Sequence, residues 1–85
     1  MLSSAYPNPF NPETQLTLMV ATTQHVTVAV YDATGRRVAH LYDSEMAATE
    51  RYRLTFDAHH LPSGLYFIRA AGRTFTASTQ AMLVR

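Results

Sequence analysis

The chain has 85 residues, 47% of them hydrophobic and 15% charged, with a net charge of +1 and no cysteine. That is enough for one folded domain with a single core and too little for two. The same figures exclude a disordered chain, an electrostatic claim on nucleic acid or an anionic membrane, a disulfide framework, a thiolate metal site and a cysteine nucleophile.

All seven basic residues are arginine and none is lysine. This hints at a GC-rich, hot or salty host, because arginine for lysine is a replacement reported in some thermostable families. No charged start precedes a long apolar run, so neither a signal peptide nor direct membrane insertion is expected. Met1-Leu2 followed by the loop-like Ser3-Ser4 suggests a start placed just ahead of a module, so the chain is expected to be a piece of something larger.

In chain order, Tyr6-Pro7-Asn8-Pro9-Phe10-Asn11-Pro12 comes first. Its alternate prolines forbid a helix and remove the donors that a central strand needs. Residues 1–12 are therefore expected to form an extended edge arm, with the rings of Tyr6 and Phe10 both inserted into the core. Gln15 to Ala21 alternates, with Leu16, Leu18 and Val20 on one face, and His25 to Tyr31 repeats the pattern with Val26, Val28 and Val30 inward. Thr22-Thr23-Gln24 is short enough to turn the chain directly back between them.

Asp32-Ala33-Thr34-Gly35 has the residues of a type I turn with Gly35 in the left-handed position. A strand from Arg36 to Tyr42 follows. Val38 and Leu41 differ in parity, so both are buried only if this strand bulges or crosses an edge. A polar connection over 43–48 leads to Thr49 to Asp57, where Tyr52, Leu54 and Phe56 face inward and Arg51, Arg53 and Thr55 outward.

Leu61-Pro62-Ser63-Gly64-Leu65-Tyr66 organises the rest. A leucine, a Pro-Ser-Gly turn and a tyrosine opening an alternating run have the form of the tyrosine corner of immunoglobulin-like sandwiches. Leu61 plugs the end of the core, Gly64 takes a positive φ, and the buried Tyr66 hydroxyl needs a backbone acceptor a few residues upstream. Leu65 to Ala71 continues with Tyr66 and Ile68 inward and Leu65, Phe67 and Arg69 outward. Gly72-Arg73 is a tight hairpin, and Phe75 to Arg85 is the last strand. Short strands at this spacing, with no internal repeat and no amphipathic helix, predict an all-β, immunoglobulin-like antiparallel sandwich of about seven strands.

Few residues suggest chemistry. His59-His60 is the one histidine pair, and adjacent residues in an extended segment point apart, so one metal ion does not use both. Asp32 and Asp57 sit at strand ends, where carboxylates accept turn bonds. Glu13, Asp43, Glu45 and Glu50 have no spacing that pairs an acid with a base, the serines lack a glycine-framed setting, and there is no phosphate loop. No catalytic residue, metal or cofactor is expected.

Several motifs together carry a family resemblance: the Tyr6 to Pro12 arm, Val30-Tyr31-Asp32-Ala33-Thr34-Gly35-Arg36, Phe56-Asp57, Leu61 to Phe67, and the closing Met82-Leu83-Val84-Arg85. In this order and spacing the chain resembles the C-terminal sorting domains (type A) of proteins exported by the type IX secretion system of Bacteroidetes and their relatives. It is also similar to the immunoglobulin-like domain of flagellar hook-capping proteins. It departs from the sorting domains in ending on Arg85 where lysines are common, and in a short hairpin approach over 70–74.

The resemblance implies a non-catalytic module at the C-terminus of a secreted hydrolase or adhesin, directing export and attachment at the cell surface beside the outer membrane. Its partners are then the secretion and attachment machinery and the parent protein's upstream domains. Tyr31, Phe67, Arg69, Leu83 and Arg85 are the candidate partner contacts, while Tyr6, Pro7, Phe10, Pro12, Gly35, Leu61, Gly64 and Tyr66 are expected to be structural. A carbohydrate-binding module is the rival, with Tyr31, Tyr42 and Phe67 as exposed rings but no tryptophan, and a structural spacer is the third possibility.

Overall fold

Period-two burial decides where most strands lie, and it runs through all but one of the six strands of the computed structural model, which describes residues 1–85. They are β1 (Glu13–Leu18), β2 (Gln24–Tyr31), β3 (Arg37–Met46), β4 (Tyr52–Asp57), β5 (Gly64–Gly72) and β6 (Thr76–Leu83). β1 and β4 pair as one antiparallel sheet, and the other runs β3-β2-β5-β6, also antiparallel. No helix is long and apolar enough to cross a membrane.

The inward residues of the two sheets meet as one core. Leu16, Leu18, Leu54 and Phe56 come from the small sheet, and Val26, Val28, Val30, Tyr66, Ile68, Ala81 and Leu83 from the large one. Phe56 is the largest fully buried side chain and lies between Phe10 and Tyr66, with ring centroids 5.5 and 5.9 Å away. Both pairs are inclined, as the ring quadrupoles prefer.

Six strands form where about seven were expected. The difference is the proline-rich arm, which makes isolated bridges in place of a ladder because its prolines donate no bonds. Leu2 and Tyr6 bridge antiparallel to Leu18 and Gln15 on the outer edge of β1, and Phe10 bridges parallel to Leu83 on the outer edge of β6. The arm therefore passes from one sheet to the other. The Asn8 side chain imitates a strand on the way, donating from Nδ2 to the Gln80 carbonyl at 3.1 Å and accepting the Met82 N–H at 2.9 Å through Oδ1.

The bridges also correct one expectation. Phe10 is buried, but Tyr6 is 81% exposed. Residues directly opposite each other share a face. Phe10 lies beside the buried Leu83, whereas Tyr6 exchanges both backbone bonds with Gln15, an outward residue, and so points outward too. Ala5 fills the inward position instead.

The predicted parity conflict in β3 is resolved by two bulges. Val28 pairs with Tyr42 and Ala29 with His40, leaving Leu41 over, and Val30 pairs with Ala39 and Tyr31 with Arg37, leaving Val38 over. Both extra residues pack partly against the core. β3 also runs on to Met46, through part of the segment expected to be a polar connection. Pairing with β2 overrides the weak strand propensity of Asp43, Ser44 and Glu45, and Met46 is fully buried at its end.

Candidate interaction face

Alternation along β2 and β5 turns Tyr31, Phe67 and Arg69 away from the core. Tyr31 and Phe67 are direct register partners, so their half-exposed rings lie side by side on the outer face of the large sheet. Arg69 is two residues further along β5 on the same face, exposed, and opposite Ser78 of β6. These side chains and the β2–β3 turn line a shallow groove of about 480 Å³.

The turn is a firm wall for that groove because one carboxylate organises it. Asp32 Oδ1 accepts the Thr34 hydroxyl at 2.6 Å and the N–H groups of Thr34 and Arg36, each at 3.0 Å. The Arg36 Nε lies 3.3 Å from Oδ2. The Thr34 hydroxyl foremost, with the two backbone donors and the Arg36 charge, holds the Asp32 carboxyl below its ordinary pKa. Gly35 closes the turn at φ +90°, where a side chain is strained.

The remaining two candidates are placed elsewhere. Leu83 is fully buried: in β6, Ala81 and Leu83 face inward while Met82 and Val84 stand in solvent. The apolar run Met82-Leu83-Val84 hides its own parity, and only the register Gly64↔Leu83 against the inward Tyr66↔Ala81 pair reveals it. Arg85 is bound to the corner. Its Nη1 donates to the carbonyls of Leu61 at 2.6 Å and His59 at 2.8 Å, with Ala58 further off at 3.4 Å, and its backbone N–H donates to Ser63 Oγ at 3.0 Å. An arginine suits this position because its fork presents several donors to converging carbonyls.

The corner itself forms. The Tyr66 hydroxyl donates to the Pro62 carbonyl at 2.7 Å, and the ring is buried against Phe56. Burial foremost pushes the Tyr66 phenol above its ordinary pKa. Gly64 has φ +156° and half-buried Leu61 packs on the core edge.

Near the corner, His59 and His60 do not point apart: their rings lie 3.8 Å from centroid to centroid. The expectation assumed extended backbone, whereas these residues sit in a turn. His59 donates its backbone N–H to Asp57 Oδ1 at 3.2 Å, and its Nδ1 is 2.8 Å from the same oxygen. The His59 ring foremost and its N–H lower the Asp57 pKa. No group of three or more His, Cys, Asp or Glu side chains is arranged to hold a metal ion.

Of the other rings, Tyr42 has its hydroxyl engaged and stays half-exposed. It packs edge-on against Tyr52 at 5.8 Å and donates its hydroxyl to the Glu45 carbonyl at 2.8 Å. Asparagines in a proline-rich arm are expected to bond backbone groups nearby, in place of the donors the prolines lack; Asn8 does bond backbone, but that of Gln80 and Met82, far along the chain.

No curated protein matches the chain significantly. The family described as "Secretion system C-terminal sorting domain" matches residues 4–85, from the arm to the last arginine. With the two-sheet fold, the tyrosine corner and the arm all in place, the chain belongs to this family of C-terminal sorting domains, which act with the type IX secretion machinery.

Proposed function

We propose that this module directs export and cell-surface attachment of a larger secreted protein, a hydrolase or an adhesin, and that the Tyr31–Phe67–Arg69 face is the surface the type IX machinery reads. One observation carries the choice of face: two register-paired rings and an arginine with no carboxylate partner line a groove walled by a turn that the Asp32 bonds hold in shape. Exposed aromatic and arginine groups beside a rigid concavity are the usual anchors of protein interfaces. Preorganisation of the wall lowers the entropy that a partner must overcome.

Fusing the chain to the C-terminus of a fluorescent protein that folds in the periplasm, in a host with this secretion system, places the reporter on the cell surface. Phe67→Ser with Arg69→Ala reduces display while leaving the isolated domain folded, with a cooperative melt at a modestly lower temperature, because Phe67 is half-buried and Arg69 is exposed. A wild-type fusion held in the periplasm refutes the sorting function for this chain. Normal display of the folded double variant clears the face and leaves sorting to another surface.

A further inference from the structure

A two-sheet fold has four sheet edges, and this one treats them unequally. The arm covers β1 through Leu2 and Tyr6. It also covers β6 from Gln80 onward through Phe10 and Asn8. β3 carries the two bulges, a device that spoils pairing with another strand. β4 has neither cover nor bulge: its register with β1 is unbroken from Tyr52 to Asp57.

The hydrogen bonding fixes which groups that edge presents. Gln15 exchanges both of its backbone bonds with Tyr6, so Thr14, Leu16 and Leu18 are the β1 residues that bond toward β4, opposite Phe56, Leu54 and Tyr52. Antiparallel pairs alternate. The N–H and C=O of Arg53 and Thr55 therefore point away from β1, and β4 has no second partner strand.

Charge selects what such an edge takes. Arg51 and Arg53 are exposed on one face of the edge, about 7 Å apart along the chain. Neither belongs to any ion pair; the pairs present are His25–Asp43, Arg36–Asp32 and His59–Asp57. On the other side, the half-buried Tyr42 and Tyr52 form an apolar rim between the sheets. We infer that the open edge of β4 is a strand-addition site for an extended segment of a partner protein with acidic residues alternating with apolar ones. The backbone of Arg53 and Thr55 supplies the ladder, Arg51 and Arg53 meet the acidic side chains, and Tyr42 and Tyr52 meet the apolar ones. Main-chain bonds with alternate side-chain contacts are the general form of recognition by strand addition. This site lies on the sheet opposite the Tyr31–Phe67–Arg69 face and does not depend on that face being read.

The test uses the full 85-residue chain, labelled for amide hydrogen exchange, and two capped heptapeptides: one alternating glutamate with valine, one alternating lysine with valine. The glutamate peptide slows exchange at the Arg53 and Thr55 amides by about tenfold or more, while the already paired Leu54 and Phe56 amides change little. Thr55→Pro abolishes this protection, since proline is tolerated where an edge N–H faces solvent but cannot donate to a new strand. Should that variant fail to fold, the double variant Arg51→Glu with Arg53→Glu reverses the preference, binding the lysine peptide over the glutamate one. Equal binding of the two peptides by the unaltered chain overturns the inference. So does binding without protection at Arg53 and Thr55, which marks simple charge attraction, and so does concentration-dependent protection without peptide, which marks a second copy of the chain as the occupant.

Discussion

Removing the Tyr66 hydroxyl tests the corner on which the two sheets join. In Tyr66→Phe the ring keeps its contact with Phe56, so packing is preserved and only the 2.7 Å bond to the Pro62 carbonyl is lost. A net intramolecular hydrogen bond contributes about 0.5–1.5 kcal/mol, and a carbonyl left buried without a partner costs about 1–3. Pro62 is exposed, so water replaces the lost donor and the cost stays near 1 kcal/mol. Leu61→Ala is the companion. A fully buried leucine loses about 2–5 kcal/mol on truncation, and Leu61 is half-buried, which brings the expected loss to about 1–2. Urea titration at constant m-value reads both. A neutral Tyr66→Phe means that the bond does not hold the corner, and a loss above about 3 kcal/mol means that the ring, not the hydroxyl, has moved.

The arm supplies a contrast within one segment: Phe10→Ala is expected to cost about 3 kcal/mol or more because the ring is buried against Phe56, while Tyr6→Ala is expected to stay within about 0.5 kcal/mol because its side chain stands in solvent. Thermal melts of the two variants decide whether the arm is anchored at one ring or two. For pH, Asp32 and Asp57 have folded pKa values below the ordinary 3.8, so the unfolded chain binds more protons at acid pH and the stability they contribute is present above about pH 4 and lost as pH falls through the folded values. Asp32→Asn and Asp57→Asn are therefore expected to melt below the unaltered chain at pH 6, with the difference shrinking at lower pH; a constant difference down to pH 2 refutes the assignment.

What was legible in the sequence follows the strength of the local signal. Leu16, Leu18, Val26, Val28, Val30, Leu54, Phe56 and Ile68 announce their faces through strict alternation, and all are buried. Tyr66 announced both its burial and its upstream acceptor, because an inward phenol behind a Pro-Ser-Gly turn has few other partners. The parity conflict of Val38 and Leu41 was visible as a conflict, and the bulges are its solution. Tyr6 and Leu83 failed for a different reason: their faces are set by pairing with Gln15 and Gly64, residues remote in sequence, and an arm or an apolar triplet has no internal alternation to reveal them. Arg85 was illegible for the same reason, since its acceptors lie 24 to 27 positions upstream.

These long-range pairings also decide how a module of this kind is presented. Leu2 and Met19 lie at the end of the sandwich where Leu18 meets Tyr52, whereas the Asp32 turn, the corner and Arg85 lie at the opposite end. β2 spans the distance from Gln24 to Tyr31, 8 residues and so seven rises or about 23 Å. In the proposed setting, C-terminal to a larger protein, that protein is expected to join at the Leu2 end, with the groove beside Tyr31 and Phe67 at the opposite end of the sandwich. The β4 edge runs the length of the small sheet, so its Arg51 end is the part nearest to whatever precedes the arm. A bulky upstream domain is thus expected to hinder strand addition at Arg51 before it hinders access to Phe67, and the two surfaces are separable by the size of the fused protein alone.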